Sequence, residues 1–341
     1  MSFPLLITIA KRKAQSLFQQ ADSRMIVGLL FLARPIFLSG CGILSSERLP
    51  QASGGVPAKA MVAKVPFFAQ DELQCGPAAL AMALNWSGVA VQPSELTPEV
   101  FTPGLKGSLQ SALIGAARRH GRIAYPLTGS EALLAEISAG HPVIVLVNLG
   151  LSWYPKWHYA VVIGFDQERD EVILHSGLTA NEHLKSGVFL NTWRRGEYWG
   201  LLVLPPNRLP DTVEEGAWLD AVAGLEKTGH WREAATGYAT AQKRWPQSFA
   251  ASMGLGNSRY SLHDLAGAAK AFRRATLLEP KNGMAFNNLA QVLADQGKRK
   301  EALATAQRAV ELGGPLLENF RQTLEEIRKK PVAKNGTQRR K

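Results

Sequence analysis

Apolar and polar positions change their period several times along this chain, and the changes divide it. An apolar stretch over residues 25–38 follows Lys11, Arg12, Lys13 and Arg24. From Cys75 the pattern turns helical: Ala79, Leu80, Ala83, Leu84 and Trp86 share one face, Pro77 suits a first turn, and Gly88 supplies a stop. A second helix is predicted over residues 105–121. Residues 140–147 form a continuous apolar run of buried-strand type. Residues 158–166 and 171–177, separated by a polar turn, read as an antiparallel hairpin. Residues 188–190 and 198–204 are predicted to add further strands. The pattern over residues 63–206 is thus an α+β domain, with helices in front and an antiparallel sheet behind.

After Pro205, Pro206 and Pro210 the composition becomes Ala-rich and helical, with residues 207–212 as a linker. An offset of about 34 residues brings like residues together: Pro246 with Pro280, Tyr238 with Phe272, and Leu255 with Leu289. Ala234, Ala268 and Ala302 align, as do Ala241, Ala275 and Ala309. This period resembles the tetratricopeptide repeat, an all-α solenoid that binds peptides or partner proteins. Three units fit residues 213–314, and Leu316, Phe320, Leu324 and Ile327 mark an amphipathic closing helix that ends the unit near residue 328.

Composition changes the picture in one respect. The formal charge is +11 over 341 residues. Residues 1–40 hold five basic side chains and one acid, and residues 328–341 hold seven basic side chains and no acid. The body between them is therefore balanced, residues 329–341 read as a solvated basic tail, and no nucleic-acid partner is expected. The two cysteines, Cys41 and Cys75, are too few for a disulfide framework.

The basic residues and apolar run of the first forty positions have the layout of an export signal. They end in Leu38-Ser39-Gly40-Cys41, which resembles the lipobox of bacterial lipoproteins. That resemblance implies lipidation of Cys41 and a membrane anchor. Gly42, where an Asp would resemble an inner-membrane retention signal, implies the outer membrane of a Gram-negative envelope, facing the periplasm. Residues 42–62, rich in Ser, Gly, Ala and Pro, read as a flexible tether.

The chemistry lies between. Cys75 sits at a predicted helix N-terminus, where the macrodipole and a partner histidine lower a thiol pKa from about 8.5 into roughly the 3.5–7.5 range. Gln70, and after it Gln74, are candidates to donate a side-chain amide to an oxyanion beside the Cys75 N–H. Among seven histidines, His158 is the first candidate base, because it opens a strand after a loop. Trp153, Tyr154 and Trp157 stand in that loop as candidate walls of a substrate cleft. The chain has neither a GxxxxGK[ST] loop nor an HExxH motif, and no metal or cofactor is expected.

The stretch from Gln70 to Ala83, with the stretch from His158 to Asp166, resembles the papain-like, bacteriocin-processing double-glycine peptidases and their stand-alone relatives. The resemblance implies a papain-like fold over residues 63–206 and a thiol peptidase in which Gln70, Cys75 and His158 are oxyanion donor, nucleophile and base. Those relatives orient the histidine with an Asp before a Pro on the next strand. That place falls near Ser176 here, with His175 beside it. Asp166 stands eight residues along the strand from His158, about 26 Å away, so the third member is Ser176, Asn181 or none. The expected function is a membrane-anchored cysteine peptidase acting on an exported polypeptide, with repeats that recruit substrate or partner. The alternatives are a weak or inactive scaffold that binds such a polypeptide, and a transamidating thiol enzyme.

Overall fold

The computed structural model describes residues 48–50, 56–70 and 73–329. The leader, Cys41 and residues 330–341 of the basic tail lie outside them. Strand β1 (Lys59–Met61) is followed by helices α1 (Cys75–Trp86) and α2 (Pro93–Val100), then by a short hairpin of β2 (Phe101–Thr102) and β3 (Gly107–Ser108). Next come α3 (Gln110–Arg119), β4 (Ile123–Thr128), α4 (Ser130–Ser138), β5 (Val143–Asn148) and β6 (Trp157–Asp166). Strands β7 (Glu171–Ser176) and β8 (Thr179–Lys185), helix α5 (Ser186–Arg194) and β9 (Trp199–Leu204) complete the domain. The main sheet runs β4-β9-β5-β6-β7-β8, antiparallel throughout, and β1 pairs with the far end of β6.

The central strands are apolar at nearly every position because both faces of the sheet are covered. Ile144, Tyr159, Val161 and Ile163 pack with Leu80, Leu84, Leu96 and Leu113 of α1, α2 and α3. Val143, Val145, Ala160 and Val162 pack on the opposite face with Leu133 of α4 and with Phe189 and Trp193 of α5. Helix α1 is enclosed on all sides, buried continuously from Gly76 to Leu84.

Three sequence expectations are corrected here. Residues 188–190 are helical, within α5, because Phe189, Leu190 and Trp193 follow helical spacing and bury one face against the sheet. The helix expected from residue 105 begins at Gln110, since Pro103 and Gly104 turn the chain into the β2–β3 hairpin. The tether expected over 42–62 is partly ordered: Leu49 is buried in the core, Pro50 O accepts from Gln167 Nε2 at 2.7 Å, and β1 joins the sheet. Four further elements, α2, β4, α4 and β8, had no sequence expectation.

The second region is a stack of helix pairs: α6 (Glu215–Glu226) with α7 (Trp231–Arg244), α8 (Phe249–Ser261) with α9 (Leu265–Leu278), and α10 (Gly283–Asp295) with α11 (Arg299–Leu312). Helix α12 (Leu317–Lys329) closes it. The Ala positions that recur along the sequence are fully buried helix contacts. Gly254 and Gly256 sit against the Tyr238 and Phe272 rings, so a Cβ at either would collide with an aromatic ring.

The repeats are docked on the α+β domain. Trp218 and Val222 of α6 lie in the same core as Ile123 and Tyr125 of β4. Thr228 Oγ1 donates to Arg118 O at 3.2 Å and His230 Nε2 to Arg119 O at 2.6 Å, so the first repeat satisfies carbonyls at the open end of α3. The connecting segment is latched to Glu136, which is fully buried. Its carboxylate accepts from His141 Nδ1 at 2.7 Å, Thr212 N at 2.9 Å, Thr212 Oγ1 at 2.7 Å and Asp211 N at 3.2 Å. Arg208 donates to His141 Nε2 at 2.7 Å and lies over the Trp86 ring. Burial pushes the Glu136 carboxyl up, but the hydrogen bonds from His141, Thr212 and Asp211 outweigh it and hold it below the usual range.

Removing that carboxylate orphans four donors, among them the buried His141 ring. Glu136→Ala is expected to cost about 3–5 kcal/mol in urea unfolding, and Glu136→Gln clearly less. A cost below about 1 kcal/mol for Glu136→Ala would show that the latch does not hold the segment.

Candidate active site

Cys75 is the first residue of α1, where N–H groups have no partner within the helix. Gly76 is required next to it, because a Cβ there would run into Ser108 of the β2–β3 hairpin. Cys75 is a free, partly buried cysteine. Burial pushes its thiol up from the ordinary value, and backbone hydrogen bonds from Tyr159, Gly76 and Cys75 itself oppose the shift without cancelling it. The expected depression of the thiol pKa is therefore overturned: desolvation inside the domain exceeds the effect of the helix terminus.

His158 lies at the start of β6, beside Tyr159, whose backbone faces the thiol. Burial, with the Lys156 ammonium nearby, pushes its imidazole down to about 4. The resting pair is therefore a neutral thiol and a neutral imidazole near pH 7, and among the described residues no hydrogen bond joins them. His158 Nε2 and Ser176 Oγ are 3.0 Å apart. When Nε2 carries the ring proton and donates to Ser176, Nδ1 keeps the lone pair that a base needs.

Of the candidates for a third member, the structure brings Ser176 to the ring and not Asn181. Asn181 donates its backbone N–H to His175 Nδ1 at 3.1 Å. His175 points elsewhere too, with Nε2 at 3.3 Å from Val65 O and its ring edge-on to Phe67. Burial lowers its pKa, partly offset by the Val65 carbonyl.

Gln70 is buried and clamped to the β7–β8 turn. Its backbone N–H donates to Gly177 O at 3.0 Å, and its Oε1 accepts from Gly177 N at 3.2 Å. Its Nε2 reaches Tyr159 O at 3.4 Å, leaving the second amide hydrogen for another acceptor. The competing Gln74 is held away by Thr97 Oγ1, which donates to its Oε1 at 2.8 Å. Two contributors were missed in the sequence. Tyr159 touches the thiol and the Gln70 amide through its backbone, and its phenol donates to Ser108 O at 3.1 Å. Gly177, with φ of 55°, makes the turn that holds Gln70. The only sequence signal for either was position, next to a candidate base and next to Ser176. Trp153 and Tyr154 are exposed on the loop before β6, and Trp157 is exposed at the first position of that strand.

Two measurements follow from these shifts. Iodoacetamide labelling, followed on the Cys75 peptide by mass spectrometry, is expected to have a midpoint above the ordinary thiol value of about 8.5; a midpoint below 7 would contradict the buried neutral thiol. For His158, the unfolded chain takes up a proton between about 6.5 and 4 and the folded chain does not, so stability falls as the pH drops through that window. Between pH 7.5 and 4.5 wild type is expected to lose roughly 2–3 kcal/mol more than His158→Gln in urea unfolding. Equal losses would show that His158 is not held neutral.

Two family models match parts of the chain that correspond to these two regions. Residues 62–199 match the model of the Peptidase_C39 like family, and residues 219–276 and 253–315 match that of the tetratricopeptide repeat. No curated protein matches the chain. Among solved structures, one described as a C39-like peptidase from Bacillus anthracis aligns at 20% identity and TM-score 0.37, over 43% of this chain and 97% of its own. The type III secretion chaperone SycD of Yersinia enterocolitica, in complex with a peptide of the translocator YopD, aligns at 17% identity and TM-score 0.32, over 33% of this chain and 91% of its own. The chain thus carries a C39-peptidase-like α+β domain with an antiparallel sheet, followed by tetratricopeptide repeats.

Proposed function

We propose that the α+β domain is a cysteine peptidase and that the repeats recruit its polypeptide substrate or a partner protein. One observation carries the reading: Cys75 at the head of α1 and the clamped Gln70 amide both meet the backbone of Tyr159, the chain neighbour of His158, whose ring stands 3.0 Å from Ser176 Oγ. Because both members of the pair are neutral at rest, the thiol proton passes to His158 as Sγ attacks the substrate carbonyl carbon. The C=O double bond opens to an oxyanion, held by the Cys75 N–H and the Gln70 amide. The intermediate collapses, the C–N bond breaks, and His158 returns the proton to the leaving amine. Water, deprotonated by His158, then hydrolyses the thioester and frees Cys75.

A lipid on Cys41 is part of this proposal, as is a place in the cell envelope, on the strength of the Leu38-Ser39-Gly40-Cys41 sequence. A second reading, a scaffold that binds an exported polypeptide without cleaving it, is favoured by one specific observation. The group at the His158 ring is an uncharged hydroxyl, which stabilises the imidazolium less than a carboxylate does. Loss of an orienting carboxylate costs up to about 10⁴-fold in a triad enzyme.

Hydrolysis of a quenched peptide mixture separates the readings. Wild type is expected to cleave slowly, and Cys75→Ala and His158→Ala not at all. Ser176→Asp is expected to raise kcat/KM by about tenfold or more and to lift the acid limb of the pH profile, because a carboxylate stabilises imidazolium. No hydrolysis by wild type or Ser176→Asp, with both folded, would leave the scaffold.

A further inference from the structure

Large apolar side chains exposed to solvent are concentrated on the loops around Cys75 and His158. The β5–β6 loop carries Leu151, Trp153 and Tyr154, and β6 opens on Trp157; they are 53%, 81%, 73% and 50% exposed. The β7–β8 turn adds Leu178, 76% exposed, two residues after Ser176. Leu109 of the third loop follows Ser108, the residue packed on Gly76. In the whole repeat region only Leu262, Leu277 and Met284 are comparably exposed among the described residues.

The β5–β6 loop is built to hold this arrangement. Asn148 Oδ1 accepts from Gly150 N and Lys156 N, both at 2.9 Å, and Leu149 N donates to Lys156 O at 2.9 Å. Arg195 Nη1 donates to the carbonyls of Asn148 and Gly150 from the α5 side. A backbone fixed by side-chain hydrogen bonds that keeps apolar side chains in water marks a binding surface, because its ordering is already complete before a ligand arrives. Exposed Lys106, Lys156 and Arg194 lie on or beside these loops, with Glu197 the acid next to Arg194.

We propose, resting on the peptidase reading above, that this rim selects a polypeptide segment with large apolar side chains flanked by carboxylates, rather than one with small residues at the cleavage point. The apolar side chains come from separate segments and stand within two residues of His158, Ser176 and Ser108 or on the loop that leads into His158, and the exposed Lys106, Lys156 and Arg194 beside them complement acidic flanks. A bilayer reached through the N-terminal segment fits less well. That segment is fastened at the Gln167 end of β6, through Pro50, and the loop stands at the other end, about 30 Å along the strand.

The test reads binding apart from cleavage. Fluorescent peptides with Leu and Phe at the centre and Glu at the flanks are compared, on full-length Cys75→Ala protein, with peptides carrying Gly-Gly at the centre or Lys at the flanks. The apolar, Glu-flanked peptide is expected to bind about tenfold more tightly than either. The double variant Trp153→Ala, Tyr154→Ala is expected to erase the preference over Gly-Gly, and Lys156→Glu the preference over Lys flanks. Equal affinities, or preferences that survive these substitutions, would overturn the proposal. So would insertion of the loop into phosphatidylcholine–phosphatidylglycerol vesicles, read by Trp emission and lost with Trp153→Ala, without discrimination among peptides. Discrimination by Cys75→Ala protein with no hydrolysis by wild type would sink the peptidase reading and leave the rim. Hydrolysis without discrimination would do the reverse.

Discussion

The β7–β8 turn at Ser176 and Gly177 is where the candidate site is held together. Ser176 Oγ meets the His158 ring, and Gly177 exchanges two hydrogen bonds with Gln70. One tight turn thus sets the ring that would take the proton and the amide that would hold the oxyanion. His175 fixes the turn from behind, tying β7 to Val65 and to Asn181 of β8. The Gln70 amide reaches Tyr159 O from the other side, so displacement of the turn would move Gln70 and Ser176 together.

The enclosure that permits this precision also sets the protonation of the pair. Helix α1 is buried along nearly its whole length, and the sheet is covered on both faces. Desolvation disfavours thiolate and imidazolium alike, so it raises Cys75 and lowers His158. Under the proposed peptidase function, the charge separation is created during attack, when the oxyanion donors act, and not stored at rest. A hydroxyl at Ser176 is consistent with a resting imidazole that carries no charge.

Much of the layout was legible in the sequence. The α+β domain, the antiparallel strands of residues 143–166 and 171–176, and the repeats all followed from period, since burial and small-residue contacts write themselves into spacing. Residues 188–190 misled because three apolar residues fit a strand or one turn of a helix equally, and only Trp193 in its pocket decides. The buried Leu49 and β1 were hidden by a polar, Gly-rich composition, because edge pairing with β6 uses backbone groups. In the site, residue types could nominate Gln70, Cys75 and His158, and counting along the strand could nominate Ser176. The thiol shift was misjudged because Cys75 packs against a core that includes Tyr159, which is distant in sequence.

The most direct test of the central claim is reaction with a peptidyl nitrile followed by intact-mass measurement. A thiol adds across the C≡N bond to a thioimidate, its proton passing to the nitrogen, and an ordinary thiol adds far more slowly than one with a base and an oxyanion site beside it. The account predicts one adduct at Cys75, absent in His158→Ala and slowed in Gln70→Ala. A folded protein whose Cys75 forms no adduct, although it can be alkylated after unfolding, would contradict the account.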